Sequence, residues 1–187
     1  MITVTTNLPY SFAEHVRLEA QAVHLSACMN DKVIHALIDR RSGIRMLDIG
    51  CGTGIVTDLM AETYPQAECI GLDISKVPNL RPHEKNVRFF EGNATSQKPS
   101  QWKANDGKAG LSDDKAGFDY IFSRLLILGM HDWPDYIKTE FDLLRPGGWV
   151  EVHDLGLGLV RPEQHSHQQG LGVAADSDLD ARNREEL

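Results

Sequence analysis

Residues 47–54 read Leu-Asp-Ile-Gly-Cys-Gly-Thr-Gly, and the rest of the chain is arranged around this glycine-rich stretch. An apolar run that starts at Ile44 precedes it, and a helical apolar pattern from Ile55 to Met60 follows it. Glycines let the backbone turn sharply and approach a ligand that a Cβ atom would block. The following helix presents free N–H groups and the positive end of its dipole to that ligand. The order of strand, glycine turn and helix therefore predicts a site for a nucleotide-type cofactor.

The spacing of the glycines narrows the class of cofactor. Gly50, Gly52 and Gly54 follow the pattern G-x-G-x-G, which is one residue shorter than the dinucleotide fingerprint, and Asp48 precedes them. Asp73 follows Gly54 by 19 residues and ends a second apolar run. A carboxylate there can accept hydrogen bonds from both hydroxyls of a ribose. The glycines alone could form no more than a tight turn, and the position of Asp73 favours the cofactor interpretation.

Strand-like and helical patterns alternate along the chain, which predicts a parallel sheet with helices on both faces. The predicted strands are residues 45–49, 68–73, 86–91, 118–123 and 149–153. The predicted helices are residues 12–27, 31–41, 55–64 and 134–144. Between the third and fourth strands, residues 92–117 are predicted to form a long surface segment with a helical turn at Trp102.

Three of the predicted helices are amphipathic, so each should bury its apolar face. The residues predicted to face inward are Phe12, Val16, Ala20, Val23 and Ala27 in the first, Val33, Ile34, Leu37 and Ile38 in the second, and Ile137, Phe141 and Leu144 in the last. Ser11 and Glu14 have the spacing of a capping box at the start of the first helix. Glu19 falls off the apolar face of that helix, and we expect it to be solvated.

The glycine motif and Asp73 together resemble the class I S-adenosylmethionine (SAM) methyltransferases. Residues 144–148, Leu-Arg-Pro-Gly-Gly, are similar to that superfamily's signature before the fifth strand. Residues 62–68 and 132–134 are similar to fungal LaeA-like methyltransferase-domain proteins, which are associated with secondary metabolism and include regulators. The resemblance covers about residues 44–154 and implies a Rossmann-like, doubly wound, mostly parallel α/β sheet with SAM as cofactor.

The resemblance also implies which residues contact the cofactor. In chain order they are Asp48, Gly50, Cys51, Gly52, Gly54, Asp73, Ile74, Asn93, Ala94, Ser123 and Arg124. The backbone from Gly50 to Gly54 approaches the methionine part and the ribose, and Asp48 either orients that turn or reaches the amino group of the cofactor through water. Asp73 holds the ribose diol. The next three border the adenine, and the last two line the methionine end. Asn93 stands where family members commonly have Asp, and its amide offers both a donor and an acceptor.

Methyl transfer from a sulfonium needs positioning and exclusion of water, but no metal and no covalent nucleophile. His131 is the candidate general base, because an imidazole with a pKa of about 6.5 can accept a proton near neutral pH. Residues 131–133 are similar to the His-Asp-Trp of small-molecule O-methyltransferases, in which the His is the base. The alternative is that His131 is an exposed residue before a helix that Asp132 caps. His153, at the end of the fifth predicted strand, is a second candidate.

The composition restricts the partners of the chain. Its 187 residues carry a net charge of −8 and are 41% hydrophobic, as in a soluble globular protein. This charge argues against direct nucleic-acid binding, which needs clustered Lys and Arg. Three cysteines without CxxC spacing indicate reduced intracellular thiols. No signal peptide or membrane span is visible, so we expect a cytoplasmic or nuclear protein that is not secreted.

The C-terminal region departs from the superfamily's pattern. A class I methyltransferase sheet has seven strands, the last two forming an antiparallel hairpin, yet no two apolar strands are recognisable after His153. We expect residues 1–43 to form an N-terminal helical cap, residues 44–155 a SAM-binding core without that hairpin, and residues 156–187 a polar, disordered tail. The sheet edge left uncovered favours a homodimer.

Three functions from different classes fit these residues. The sequence predicts a SAM-dependent methyltransferase that acts on a small-molecule or protein acceptor. The alternative is a SAM-fold protein with weak or absent catalysis that binds a regulatory protein partner, or a truncated fragment of an enzyme. The third is an NAD-binding oxidoreductase on a similar sheet, and the glycine spacing counts against it.

Overall fold

The computed structural model describes residues 11–39, 41–108, 110–111, 117–127 and 129–155. Within these ranges the helices are α1 (Phe12–Cys28), α2 (Ile55–Thr63) and α3 (Trp133–Leu143). The strands are β1 (Arg45–Ile49), β2 (Glu68–Asp73), β3 (Val87–Glu91), β4 (Lys103–Ala104), β5 (Phe118–Arg124) and β6 (Leu144–His153). A 3-10 turn, Pro99–Gln101, precedes β4.

The strands form one sheet in the order β4-β3-β2-β1-β5-β6. The short β4 is antiparallel to β3, and the other neighbouring pairs are parallel. The central strand is β1, whose Met46 is in register with Cys69 of β2 and with Tyr120 of β5. Parallel pairs need crossover connections, and α2 and α3 lie within two of them. This architecture confirms the predicted Rossmann-like, doubly wound, mostly parallel fold.

The strand predictions agree closely with the structure, because the strands in the middle of the sheet, β1, β2 and β5, are buried and largely apolar runs. The first two have the predicted bounds, and the third and fourth differ by one residue. The last strand begins earlier than predicted, at Leu144, which pairs with Phe118 before a shift in register leads to the pair of Tyr120 and Trp149.

The core lies on both faces of the sheet, as the side-chain alternation of its strands requires. One cluster packs β1 and β5 against α2 and includes Met46, Met60 and Phe122. The other packs the opposite face against α3 and includes Leu47 and Tyr136. Full burial of such a side chain contributes about 1.5–3 kcal/mol, so these two clusters supply most of the stabilisation of the described core.

Helix α1 forms where it was predicted, and the Ser11 Oγ accepts a hydrogen bond from the Glu14 N–H at 3.2 Å. Its predicted inward face is wrong. Phe12, Val16 and Val23 are 76%, 52% and 58% exposed, whereas Ala22 is buried. The helix is fixed by polar contacts on another face, described below, and these contacts set its rotation.

The second predicted helix is wrong, since residues 30–39 contain no helix. Asn30 and Asp31 have φ values of 54° and 57°, a left-handed conformation that cannot continue α1 as a helix. The Glu151 carboxylate accepts hydrogen bonds from the N–H groups of His35 and Ala36, which a helix would have used internally. The following segment packs irregularly on the α2 side of the core, with Leu37 exposed.

The segment after β3 is less exposed than predicted. The helical turn before Trp102 is present, but Trp102 and Leu111 are buried in the α3-side core. Strand β4 adds to the edge of β3, with Phe90 opposite Ala104. Of the predicted surface segment, residues 109 and 112–116 lie outside the described ranges.

Helix α3 begins as predicted, with Pro134 in its first turn and the Asp132 side chain accepting from the Asp135 N–H. Its predicted inward face is also wrong, because Ile137 and Phe141 are exposed and Leu144 belongs to β6. The residues that it buries instead are Tyr136, Glu140 and Leu143. The aromatic ring of Tyr136 offers more apolar area to the sheet than Ile137 does, which favours this rotation.

The described core belongs to one compact unit, which spans Met1–Asp154. The expectations of a disordered tail at 156–187 and of a missing hairpin concern residues outside the described ranges. The proposed domain boundaries stay predictions. No described helix combines the length and apolar character that crossing a bilayer requires.

Candidate cofactor-binding site

The glycine turn joins β1 to α2 at the carboxyl edge of the sheet, where ligands bind in open α/β folds. Gly50, Gly52 and Gly54 have φ values of +72°, +57° and +80°, which glycine adopts without strain. The Gly50 N–H donates to the Leu72 carbonyl oxygen at 2.8 Å, which ties the turn to β2. A Cβ atom on Gly50 would lie 2.5 Å from Leu126 Cδ2, so the backbone is closely packed at this point.

Asp73 connects the two sequence motifs. Its Oδ2 accepts a hydrogen bond from the Gly52 N–H at 2.9 Å, and its Oδ1 accepts one from the Ser75 N–H at 2.9 Å. Burial raises the pKa of this carboxyl, against the effect of these N–H donors. Each carboxylate oxygen has two acceptor directions, so the pair keeps capacity for further donors.

Asp48 is buried beneath the glycine turn and faces α2. The Thr57 hydroxyl donates to its Oδ2 at 2.7 Å. Burial raises the pKa of Asp48 to about 7, and the Thr57 hydrogen bond and the charge of Arg124 partly oppose this shift. Asp48 therefore links the end of β1 to the first turn of α2.

The residues predicted to border the adenine follow β2 and β3. Ile74 is 53% exposed, directly after Asp73. The Asn93 side-chain oxygen accepts from the Thr95 N–H and hydroxyl, both at 2.9 Å, so it caps its own turn. Ala94 packs on the α3-side core, and Cys51, within the glycine turn, is buried. The structure thus brings this group to the same sheet edge as the glycine turn, and the ligand roles stay predictions.

The two residues predicted for the methionine end face opposite sides of the sheet. Ser123 is fully buried on the α3 side, close to Tyr136 and Glu140. Arg124 lies on the other side, near enough to Asp48 for their charges to interact. Its Nη1 is buried and has no hydrogen-bond partner among the described residues. Arg124 is therefore better placed than Ser123 to hold an anionic group.

His131 is exposed in the turn before α3. It makes no hydrogen bond or ion pair within the described ranges, and it is not joined to the glycine turn. His153 is half-buried at the end of β6, and its Nε2 lies 2.7 Å from Glu151 Oε1. The structure therefore orients the side chain of His153 and leaves that of His131 unconstrained.

Sequence reasoning missed Arg81, which ties three elements to the site. Its guanidinium donates to the Thr53 carbonyl oxygen at 2.9 Å, to Asp58 of α2 at 2.8 Å and to Glu19 of α1 at 2.8 Å. Glu19, expected to be solvated, is thus held in a half-buried ion pair. Arg81 lies in an irregular loop with no motif or periodicity, so no local signal indicates its role.

Two cavities among the described residues lie away from this edge of the sheet. One of about 710 Å³ opens at the opposite, amino-terminal edge of the sheet, and its lining includes Arg45, Gln66 and Lys85. Another of about 360 Å³ lies between residues 31–38 and α2. Ligands of doubly wound sheets bind at the carboxyl edge, so neither cavity is the candidate site.

Comparison with known families agrees with this geometry. A family model described as a methyltransferase domain matches residues 18–179. The chain belongs to this methyltransferase-domain family. The chain is 34% identical to Methyltransferase pytC of Aspergillus terreus over 128 residues. This match covers 67% of the chain and 34% of pytC. The chain is also 33% identical over 110 residues to the secondary metabolism regulator laeA of Coprinopsis cinerea. This second match covers 59% of the chain and 24% of laeA.

The methyltransferase domain thus spans about a quarter to a third of the length of these two relatives. Among solved structures, the chain superposes on the plantazolicin methyltransferase BpumL with a TM-score of 0.54 at 16% identity. That structure holds a monoazolic desmethylPZN analog and S-adenosylhomocysteine (SAH). This match covers 85% of the chain and 55% of BpumL. It shows that the two proteins share a fold.

Proposed function

We propose that this chain binds SAM at the carboxyl edge of its sheet and transfers the methyl group to a small-molecule or protein acceptor. The observation that carries the proposal is the hydrogen bond from the Gly52 N–H to Asp73, which joins the glycine motif and the acidic residue in one rigid edge. The relatives named as methyltransferases, and BpumL with bound SAH, support the same cofactor.

In this proposal, Asp73 accepts hydrogen bonds from the ribose hydroxyls through its remaining lone pairs. The exposed side chain of Ile74 packs on the adenine, and Asn93 with Ala94 borders the base. The backbone of Gly50, Cys51, Gly52 and Gly54 approaches the rest of the cofactor, with Asp48 holding the turn. The buried, unpaired Nη1 of Arg124 supports a role in binding the carboxylate of the methionine part. Ser123 acts there through its backbone, since its side chain faces α3.

The reaction is an in-line displacement. The acceptor forms a bond to the methyl carbon, the carbon–sulfur bond of the sulfonium breaks, and S-adenosylhomocysteine (SAH) leaves as a neutral thioether. A hydroxyl or amine acceptor gives up its proton to a base. His131 is the base proposed from the sequence, and its exposed ring makes no hydrogen bond among the described residues that would keep it from turning toward an acceptor. The likeness to laeA, which is named as a secondary metabolism regulator, supports an acceptor linked to secondary metabolism. A location in the cytoplasm or nucleus stays a prediction from the sequence.

A second function is a SAM-binding regulatory domain with weak or no catalysis. The likeness to laeA, which is named as a regulator, favours it. The two functions differ in turnover but share cofactor binding. Release of SAH from SAM in the presence of a panel of phenols, amines and carboxylic acids supports the enzyme, and His131→Ala then tests the base. SAH binding without turnover on any acceptor supports the regulatory domain.

Cofactor binding is tested first, by thermal unfolding with and without SAH. At 100 times its Kd, SAH adds about 2.7 kcal/mol of stability, which raises the Tm by about 5–10 °C for a domain of this size. Ile74→Ala should keep the Tm of the free protein and weaken SAH binding about tenfold. Ile137→Ala, the same change at a 37% exposed position on α3, is the matched control and should bind normally. A cooperative transition that SAH does not shift would overturn the proposal.

A further inference from the structure

Three metal-ligating side chains come together beyond the cofactor residues. Glu151 and His153 are two residues apart on β6, so their side chains leave the same face of the sheet. His35 comes from the irregular segment that follows α1. One ligand atom from each of the three lies within 4.8 Å of the other two. The chain thus places two imidazoles and one carboxylate around a single point, although His35 and Glu151 are 116 residues apart.

The carboxylate of Glu151 is held in place by several donors. The Tyr120 hydroxyl and the Ala36 N–H each donate to Oε2 at 3.0 Å, and the His35 N–H lies 3.0 Å from both oxygens. Such outer hydrogen bonds orient the ligands of metal sites. Glu151 is therefore an oriented oxygen ligand.

The two histidines each supply one ring nitrogen to this cluster. For His153 that nitrogen is Nε2, which lies 2.7 Å from Glu151 Oε1, while its other nitrogen, Nδ1, is buried. The ring packs edge-on against Phe122, with centroids 4.8 Å apart, so its orientation is fixed. The ring of His35 stands next to it at 5.6 Å and is exposed, so it can turn. A fixed imidazole beside an exposed one that can turn suits a bound ion.

We propose that His35, Glu151 and His153 form a zinc-binding site. Two imidazoles and one carboxylate are a donor set of three-ligand zinc sites, which keep a fourth position for water or another ligand. Magnesium and calcium prefer oxygen ligands alone, so they fit this set poorly. Zinc takes the place of the proton between His153 Nε2 and Glu151 Oε1, and the turning of the exposed His35 ring closes the site. The inference is independent of SAM binding.

The test is a zinc titration of the tag-free, EDTA-treated full chain at pH 7.5, followed by calorimetry. All proteins carry Cys28→Ser, because the exposed Cys28 thiol could bind zinc by itself. We expect one zinc per chain, and His35→Ala should weaken the affinity at least tenfold. The ring of His35 is exposed, so this variant should fold normally. His24→Ala, which removes an exposed imidazole on α1, is the matched control and should bind like the parent.

Two further measurements separate this site from adventitious binding. Cobalt should give the visible absorption of a tetrahedral ion in the parent protein and lose it in His35→Ala. Tyr120→Phe, which removes one donor to Glu151, should weaken zinc binding about tenfold while leaving the ligands in place. The absence of stoichiometric zinc binding, or equal affinity in the parent and His35→Ala, overturns the proposal. The SAH-induced Tm shift of His35→Ala shows independently whether the cofactor site is intact.

Discussion

Gly54 has a φ of +80°, and a Cβ atom built there would lie 2.5 Å from the Cζ of Phe89. Two separate physical effects therefore require glycine at this position. A left-handed conformation costs a residue with a side chain about 1–2 kcal/mol. Contact with a buried aromatic ring adds the cost of overpacking, which is about 1–3 kcal/mol.

Gly54→Ala should therefore lower the free energy of unfolding by about 3 kcal/mol, measured by urea denaturation. Gly107 has a similar φ of +71°, but no atom lies within 4 Å of a Cβ built there. Gly107→Ala should lower the free energy of unfolding by only about 1 kcal/mol, because only the cost of the left-handed backbone conformation applies there. Equal effects of the two substitutions would contradict a packing role for Gly54.

For single residues of the cofactor site, the sequence predicts the position of a motif but not the contacts that its side chains make. The glycine spacing and Asp73 could be read from sequence, since the turn and the strand end are local features. Their partners could not, because the Asp73 bond to the Gly52 N–H depends on β1 and β2 lying side by side. The same limit concealed Arg81, whose three partners come from three different parts of the chain.

At the scale of elements, the rotation of each helix about its axis was the least predictable feature. The periodicity of α1 located the helix and its Ser11 cap, but the exposed stripe that includes Phe12 is the one predicted to be buried. An apolar stripe reports how much apolar surface a helix carries, not which neighbour covers it. The rotation of α1 follows instead from the Glu19–Arg81 ion pair and from Leu18, which lies over Gly52.

Arg81→Ala should release α1 from the glycine turn. We expect the free energy of unfolding to fall by about 2 kcal/mol, since hydrogen bonds to two carboxylates are lost. Amide hydrogen exchange in α1, followed by mass spectrometry, should rise more than in α2. Arg17→Ala, which breaks an exposed pair with Glu14 on the same helix, is the control and should cost less than about 1 kcal/mol. If α1 exchanged at the same rate in both variants, Arg81 would not hold the helix.

At the scale of the whole molecule, buried carboxyls link stability to pH. Glu140 of α3 is fully buried, and the hydroxyls of Tyr136 and Ser123 lie near its carboxyl group. Burial raises its pKa from 4.5 to about 7, although Tyr136 and Ser123 oppose the shift. Between these two values the unfolded chain loses the Glu140 proton and the folded chain keeps it. The contribution of Glu140 to the free energy of unfolding therefore falls as the pH rises from about 4.5 to about 7, and is constant above.

Glu140→Gln should remove this dependence, because the amide stays neutral at every pH. Relative to the parent, the variant should gain stability as the pH rises through that window, by at most about 3 kcal/mol at pH 8. Below pH 4.5 the two proteins should be similar. Urea denaturation at a series of pH values measures the difference. Glu62→Gln, at an exposed position on α2, is the control and should leave the pH profile unchanged. A constant difference between Glu140→Gln and the parent would contradict the buried-acid explanation.

The sequence by itself determined the order of the five parallel strands and of helices α1, α2 and α3, and the place of the glycine turn. Those features follow from residue periodicity and from the need of glycine for positive φ, which act over a few residues. Only the tertiary structure decided which helix faces are buried, how residues 30–39 run, and that His35 meets Glu151 and His153 on β6. These outcomes depend on contacts between distant parts of the chain, whose free energies local sequence patterns do not record.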